Sequence, residues 1–211
     1  MAYADACVHP YPSGDSSLPR MALEARECGY SIIVSDVGEG EFYGVRAVRG
    51  VIVRERTAKD AIRAVRRAPD DAIVSVCAGD AGFTRSMVSF PGVHILKGVH
   101  LAGKFAFDHV AARTAAEKGV CVEIDLAPII AYRGRERQRV LACYADILHL
   151  QRRYGFGLCI GSNARSVLGQ RSVREASGLC SLFGMREEEC IAAFSSVEGL
   201  LEPSGPVRVV P

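Results

Sequence analysis

The sequence has no apolar run long enough to cross a membrane and no targeting pattern at its start. A membrane-spanning helix needs about 20 consecutive and mostly apolar residues, and no stretch here approaches that length. The first residues, MAYADACVHPYPSG, lack the basic stretch and the apolar core of a signal peptide. We therefore expect a chain without a membrane span that works in the cytoplasm.

Signatures of common catalytic sites are also missing. No Gly-x-Gly-x-x-Gly or Walker loop follows a predicted strand, and no Ser or Cys lies in the sharp strand-to-helix turn of a hydrolase nucleophile. No Cys-x-x-Cys pair occurs among the eight cysteines, which lie mostly within apolar segments. These absences give no support to nucleotide-cofactor chemistry or to a zinc site of the common spacing. The apolar segments around the cysteines predict buried free thiols.

The charge is nearly balanced, but the basic residues are mostly of one kind. The net charge of +2 argues against a disordered polycation, yet 22 of the 26 basic residues are arginine. The planar guanidinium group binds phosphate through two hydrogen bonds and stacks on bases. High arginine content can also reflect genomic base composition alone, so nucleic-acid binding is one of two open interpretations at this point.

The most complete structural pattern lies in residues 105–128, FAFDHVAARTAAEKGVCVEIDLAP. Asp108 can cap a helix with its carboxylate, and Gly119 stands where a left-handed residue would end that helix. The segment that follows alternates as a strand does and places Glu123 and Asp125 on one face. Because buried carboxylates are costly without partners, we expect both near the carboxyl end of the strand, within reach of water or a ligand.

Strand-like and helix-like segments alternate six or seven times along the chain. Such alternation requires a parallel sheet with right-handed crossovers, and no shift in composition indicates a linker. We therefore predict an α/β fold, a TIM-barrel-like, small or incomplete (β/α) barrel with about seven parallel strands. Residues 1–201 would form this single domain and residues 202–211 a tail. A doubly wound open sheet stays possible, and residues 38–41, GEGE, are expected to form a mobile loop.

In a parallel barrel the functional side chains lie at the carboxyl ends of the strands. Those positions in the predicted strands hold a polar set: His9, Asp36, Asp80, Glu123, Asp125 and Ser162. All of them except Asp80 and Ser162 could together hold a divalent ion that activates water, as in a metal-dependent phosphoesterase. The competing interpretation is that such residues cap the next helix, and the few, scattered histidines disfavour a metal site.

Seven basic residues could form a positive surface near one end of such a barrel: Arg85, Lys97, Lys104, Arg113, Arg165, Arg171 and Arg174. The alternative is a set of solvated side chains that pair with nearby carboxylates, as most surface charges do. Sequence spacing does not place them on one face, so both interpretations stay open. A further possibility is that the arginine-rich helix predicted over residues 134–153 is only a face for a protein partner.

Three segments of the chain, taken in order, carry a resemblance to a known family. They are Gly79-Asp80 with Arg85, the run FDHVAARTAAEKGVCVEIDLAPII, and GSNARS followed by a helix and Leu182-Phe183-Gly184-Met185. Together they resemble ribonuclease P protein component 3, a family shared by archaea and eukaryotes. The resemblance covers nearly the whole chain and implies a TIM-barrel-like fold. One departure is Asn163, which replaces a glycine in the family's usual Ser-Gly-Ala-Arg-Ser motif.

The resemblance implies a non-catalytic subunit that binds no cofactor or metal itself. In the holoenzyme, ribonuclease P RNA uses magnesium to cleave precursor tRNA and remove its 5′ leader. The implied partners are that RNA, a Pop5-type protein subunit in a heterodimer or a dimer of heterodimers, and precursor tRNA indirectly. The implied RNA contacts are Arg85, His109 and Arg165, with Lys104, Arg113 and Arg171 as secondary candidates. The alternative function is a stand-alone metal-dependent phosphoesterase of a TIM-barrel type.

Overall fold

The computed structural model describes residues 2–103 and 105–201, and its strands form one eight-stranded sheet. The strands are β1 (Ala4–Val8), β2 (Ile32–Ser35), β3 (Gly40–Phe42), β4 (Val45–Val53), β5 (Ile73–Cys77), β6 (Ile95–Lys97), β7 (Cys121–Asp125) and β8 (Leu158–Gly161). The helices are α1 (Leu18–Glu27), α2 (Ala58–Arg67), α3 (Ala81–Ser89), α4 (His109–Lys118), α5 (Leu126–Ala131), α6 (Gly134–Tyr154), α7 (Val173–Ser181) and α8 (Glu187–Leu200).

The parallel strands follow the order β1-β2-β4-β5-β6-β7-β8, which confirms the predicted barrel-like α/β fold with about seven parallel strands. Strands β1 and β8 meet at the two ends of this order. Their contact is a single bridge between Val8 and Ala164, with the His9 N–H donating to the Ala164 carbonyl at 2.8 Å. The Asn163 N–H also donates to the Cys7 carbonyl at 2.9 Å. The barrel therefore closes through a short seam rather than a full ladder.

The segment predicted as a mobile loop over residues 38–41 contains the start of a hairpin instead. Strand β3 begins at Gly40 and pairs antiparallel with β4. The two residues between these strands, Tyr43 and Gly44, have φ values of 56° and 78°. Positive φ at both positions gives a tight turn whose twist matches that of the strands. The sequence hides this hairpin because tyrosine is a rare occupant of such a backbone position.

The barrel interior has an apolar layer and a polar layer. Small and branched side chains fill the end where the strands begin: Ala4, Ala6, Ile32, Val34, Val48, Ile73, Ile95, Cys121, Cys159 and, from α8, Val197. Residues two positions apart on a strand share a face, so Lys97 and Glu123 lie above this layer on the same interior face. A larger apolar cluster lies between the sheet and the helices around it. Helix α8 thus covers one end, and the polar groups lie toward the other.

Aspartates explain where three of the helices begin. Asp80, Asp108 and Asp125 each accept a hydrogen bond from a backbone N–H of the following turn, at 2.9 to 3.1 Å. Each carboxylate thereby satisfies donors that have no partner inside the helix. The capping interpretation holds for Asp80 and Asp125. The helix predicted after Asp108 ends as expected at Gly119, which has φ of 69°.

All eight thiols lie in the described part of the chain, and most of them are buried, as the sequence predicted. All eight cysteines are free; Cys28, Cys77 and Cys143 are half-buried, and the other five are buried. Burial raises the pKa of several of them, including Cys7 to about 12, so these thiols stay protonated.

Across the residues that the structure describes, no helix is both long and apolar enough to span a membrane.

Candidate functional site

A hydrogen-bonded network of charged and amide groups fills the carboxyl end of the barrel interior. Lys97 Nζ donates to Glu123 Oε1 at 2.6 Å and to Asn163 Oδ1 at 3.0 Å. Asn163 Nδ2 donates to the same glutamate oxygen at 3.2 Å. The side chains of Lys97 and Glu123 are only 8% and 1% exposed. We call these three residues, together with His9 and Asp36, the barrel-end network.

The ion pair at the centre of this network joins two buried side chains. Burial lowers the pKa of Lys97, but the neighbouring Glu123 carboxylate outweighs that effect, so the net pKa is raised. Glu123 Oε2 has no hydrogen-bond partner in the described part of the chain. The glutamate therefore depends on Lys97 for its neutralisation. In such pairs, the loss of one member leaves an uncompensated buried charge.

His9 joins the network from the side of β1. Its Nδ1 lies 2.7 Å from Asp36 Oδ2, and its Nε2 lies 3.3 Å from Asn163 Oδ1. Asn163 therefore connects the His9–Asp36 pair with the Lys97–Glu123 pair. Asn163 has φ of 48°, a left-handed conformation that glycine adopts freely and asparagine tolerates better than most residues. This explains how asparagine can stand where the family motif has glycine.

Two further acids beside the network have raised pKa values. Burial raises the pKa of Asp5 to about 6, although its Oδ1 accepts hydrogen bonds from the N–H groups of Ser162 (2.8 Å) and Cys7 (3.2 Å), which lower it. Burial and the nearby Glu123 raise the pKa of Asp125 to about 7. Asp5 Oδ2 has no hydrogen-bond partner among the described residues. Asp5 and Asp125 can therefore take up protons below neutral pH.

These residues do not form the metal site considered from the sequence. His9 contacts Asp36, but Glu123 is bound by the Lys97 ammonium group, and Asp125 caps α5. Within the described ranges, no three His, Cys, Asp or Glu side chains are placed to hold one ion. The ammonium group already supplies the positive charge that a metal would bring to Glu123. The side chains present therefore do not fit a catalytic divalent ion.

The grouping of Lys97 with the surface cations is wrong, because its side chain lies inside the barrel. The alternation of side chains along a strand indicates the interior position of Lys97 from the sequence. Lys97 lies two residues after the interior residue Ile95, so both share one face of β6. The neighbouring strand β7 presents Glu123 on the same interior face, and a buried ion pair follows.

Three of the candidate RNA contacts lie on α3 and α4, which pack against each other. Arg85 in α3 binds the Asp108 carboxylate through Nε, at 3.3 Å, and through Nη2. This contact lowers the pKa of Asp108 to about 2. His109 and Arg113 follow on the exposed side of α4, where Arg113 Nε donates to Glu117 at 2.9 Å. Carboxylates of the protein thus neutralise part of the charge of this surface.

Backbone carbonyls hold the remaining described candidates. Arg165 Nη1 donates to the Ser13 carbonyl, in the loop after β1, at 2.8 Å. Arg171 Nη1 donates to two carbonyls of its own loop, at 2.9 and 2.6 Å. Both residues follow β8, whereas the first group lies on α3 and α4, so the candidates come from two separate parts of the fold. Lys104 lies outside the described residues.

An arginine-lined cleft between the start of α6 and α7 was not among the predicted RNA contacts. Arg133, Arg137 and Arg171 line an open cleft of about 530 Å³, with Ile130 and Leu179 as apolar wall. We call this the arginine cleft; Glu175 and Gly178 complete its lining. Arg133 and Arg137 are one helical turn apart, and this spacing was a usable signal. No pattern in the sequence predicts that Arg171 approaches the other two arginines, because Arg171 comes from the loop after β8.

Comparison with known proteins gives a consistent result across the chain. The family model described as RNase P subunit p30 matches residues 2–204. Ribonuclease P protein component 3 of Methanosarcina acetivorans is 30% identical over 208 residues, which cover 92% of this chain and 86% of that protein. The protein of the same name from Methanothermobacter thermautotrophicus is 30% identical over 210 residues, covering 90% and 85%.

Solved structures support the fold. A chain in a cryo-EM structure of archaeal ribonuclease P with mature tRNA matches with a TM-score of 0.77 and 17% identity, covering 94% of this chain and 89% of the other. An amidohydrolase crystal structure matches with a TM-score of 0.62 and 12% identity, covering 95% and 73%. At these identities the likeness concerns the fold alone. The match of the family model over nearly all of the sequence decides the membership: the chain belongs to the RNase P subunit p30 family.

Proposed function

We propose that this ribonuclease P subunit binds the RNA of the enzyme through exposed arginines and adds no catalytic group of its own. The observation that carries the proposal is the family match over residues 2–204. The barrel-end network supports the non-catalytic role, because Lys97 binds the carboxylate that a hydrolytic metal site would need. In this proposal the RNA uses magnesium to cleave precursor tRNA and release its 5′ leader, and the protein holds no cofactor.

The proposed partners are ribonuclease P RNA directly and precursor tRNA indirectly. The family match supports the assignment to the enzyme, and the fold is shared with a chain from a structure of archaeal ribonuclease P with mature tRNA. We further propose a Pop5-type subunit as protein partner, in a heterodimer that pairs into a dimer of heterodimers, and a cytoplasmic site of action. These two points rest on the family resemblance of the sequence.

The proposed contacts act by neutralising phosphates. Each cation that reaches a phosphate releases condensed counterions, so affinity falls steeply as salt rises. The candidates are those of the sequence: Arg85, His109 and Arg165, with Lys104, Arg113 and Arg171 as secondary contacts. Arg85 must exchange Asp108 for a phosphate, whereas Arg165 forms no ion pair within the described residues. We therefore expect Arg165 to contribute more to affinity than Arg85.

The test is precursor-tRNA cleavage by cognate ribonuclease P RNA and the Pop5-type partner, at a series of magnesium concentrations, with and without this chain. By screening the charge of the RNA, the chain should lower the magnesium concentration that cleavage requires. An identical magnesium dependence with and without the chain contradicts the proposal. Hydrolysis by the chain alone with magnesium or manganese, abolished by Glu123→Gln, would support the phosphoesterase instead.

Single variants test the ranking of contacts. Arg165→Gln should weaken RNA binding more than Arg85→Gln at the same salt concentration. Arg63→Gln is the matched control, because Arg63 is an exposed arginine on α2 that pairs with Asp60 at 3.2 Å. All three changes remove one positive charge. Equal losses for the three variants would show that overall charge, rather than these positions, determines binding.

A further inference from the structure

The arginine cleft combines positive charges from two separate parts of the chain. Arg133 and Arg137 come from the start of α6, and Arg171 comes from the loop that leads into α7. The cleft opens to solvent and has room for a ligand, with a volume of about 530 Å³. Like charges repel when they are brought together, so their convergence requires an explanation.

Two of the three guanidinium groups are held in place without being neutralised. Arg133 Nη1 donates to the carbonyls of Ile130 (2.5 Å) and Tyr132 (2.9 Å). Arg171 Nη1 donates to two carbonyls as well, at 2.9 and 2.6 Å. A carbonyl is a neutral acceptor, so each arginine keeps its full charge. Each also keeps its Nε and Nη2 donors available, since no other hydrogen bond of these groups occurs in the described residues.

Among the described residues, no carboxylate forms an ion pair with the arginines of the cleft. None of its three arginines has a carboxylate oxygen within 4.0 Å among the described residues, unlike Arg85 with Asp108. The one acid in the lining, Glu175, is already engaged, because its Oε2 accepts from the N–H and the hydroxyl of Ser172 at 2.9 and 2.8 Å. These hydrogen bonds, and to a smaller extent the charge of Arg171, lower the pKa of Glu175. Glu175 caps α7 and keeps its negative charge, so the lining of the cleft holds three positive charges against one negative charge.

A buried donor of Arg137 has no acceptor. The Nε of Arg137 is shielded from solvent and makes no hydrogen bond within the described part of the chain. Such an unpaired buried donor costs about 1–3 kcal/mol. Arg137 is therefore held at the cleft with an unsatisfied donor, which the contacts of the folded chain do not explain.

We propose that the arginine cleft is a phosphate-binding site that takes the sugar–phosphate backbone of ribonuclease P RNA. The choice of RNA rests on the proposed function. A phosphodiester offers two free oxygens to guanidinium groups that donate in pairs, and consecutive phosphates can engage more than one arginine. Ile130 and Leu179 supply an apolar wall beside the charges. The site thus adds Arg133 and Arg137 to the contacts expected from the sequence.

The experiment measures binding of the full chain to cognate ribonuclease P RNA over a range of salt concentrations. The variant is Arg133→Gln/Arg137→Gln/Arg171→Gln, and the control is Arg63→Gln in α2, between β4 and β5. At physiological salt the triple variant should bind at least about tenfold more weakly, with the slope of log K against log salt reduced by about 2 to 3. Thermal unfolding checks that the triple variant is folded. If it is not, Arg137→Gln alone should reduce the slope by about 1.

Different outcomes separate the cleft from the proposed function. If the unaltered chain fails to bind the RNA at any salt concentration, the proposed function fails, and this site with it. If the unaltered chain binds and the folded variant binds equally well with the same slope, only the cleft is excluded. If the variant binds RNA normally but no longer co-purifies with the Pop5-type subunit, the cleft is a protein-binding surface and the RNA assignment is overturned.

Discussion

The barrel-end network pairs buried charges with each other, whereas the arginines of the cleft form no ion pair within the described residues. In the network, Glu123 is neutralised by Lys97 at 2.6 Å, inside the protein. In the cleft, Arg133 and Arg171 are bound by carbonyl groups, and no carboxylate of the described residues lies within 4.0 Å of them. The first arrangement contributes to the folded state, and the second keeps its charge for another molecule. The network and the cleft differ in the chemical group that binds each charged side chain, more than in the number of charges.

The largest effect is expected from Lys97→Met. The substitution leaves the Glu123 carboxylate buried without its cation, which should lower the free energy of unfolding by about 3–5 kcal/mol. Urea denaturation measures the loss. The double variant Lys97→Met/Glu123→Met replaces the pair by apolar groups and should recover most of it. A single variant as stable as the unaltered chain would show that the pair does not determine the stability of the barrel end.

A pH effect of intermediate size is expected from Asp5. Its pKa of about 6 in the folded protein lies above the unfolded value near 3.8, so the folded state holds the proton more tightly between these values. This contribution is fully present below pH 4 and is lost as pH rises through 6, a change of about 2–3 kcal/mol.

The measurement for Asp5 is urea denaturation between pH 4 and pH 7. Asp5→Asn cannot titrate, so the difference in unfolding free energy between this variant and the unaltered chain should change with pH over that window. Asp15→Asn, at an exposed aspartate, is the control and should follow the unaltered chain. A pH-independent difference for Asp5→Asn contradicts the raised pKa.

Asn163 tests the link between the two halves of the network. Asn163→Ala removes the amide that contacts Lys97 and Glu123 and places alanine at φ of 48°, so we expect a loss of about 2 kcal/mol. Asn163→Gly loses the same amide but adopts this backbone freely, and should cost less. Thermal unfolding of both variants gives the order. If Asn163→Gly is less stable than Asn163→Ala, backbone strain does not determine the loss of stability.

The smallest effect on stability is expected in the cleft. Arg137→Gln removes a repelling charge and a buried unpaired donor but also loses the packing of the arginine stem, so the free energy of unfolding should stay within about 0.5 kcal/mol of the original value. RNA affinity should nevertheless fall, in contrast to the network variants. Parallel urea and RNA-binding measurements on Arg137→Gln provide the check. A large loss of stability would show that this arginine serves the fold.

Local sequence patterns predicted much of the fold because their causes are local. Asp108 and Gly119 delimit α4 as expected, since a cap and a left-handed residue act within one turn. The strand–helix alternation predicted a parallel sheet and favoured the observed barrel-like arrangement, while it left a doubly wound open sheet possible. The β3–β4 hairpin was missed because its turn uses Tyr43, where glycine or asparagine would have been the recognisable choice.

The candidate sites were harder to predict because they depend on register and on distant parts of the chain. Lys97, Glu123 and Asn163 come from three neighbouring strands or their ends, and their contact requires each strand to stop at the right height. The arginine cleft requires the loop carrying Arg171 to approach α6. Periodicity shows which face a residue occupies, but it does not show which residues from other elements lie opposite.

The seam between β1 and β8 has a consequence for how the chain is made. The Ser162 N–H donates to Asp5, 157 residues earlier in the chain, and Ala164 is the bridge partner of Val8. During synthesis β1 emerges before β8, and one edge of β1 stays uncovered until β8 has left the ribosome. Unpaired strand edges favour association with other chains. A product truncated before β8 is therefore expected to aggregate rather than fold into a smaller barrel.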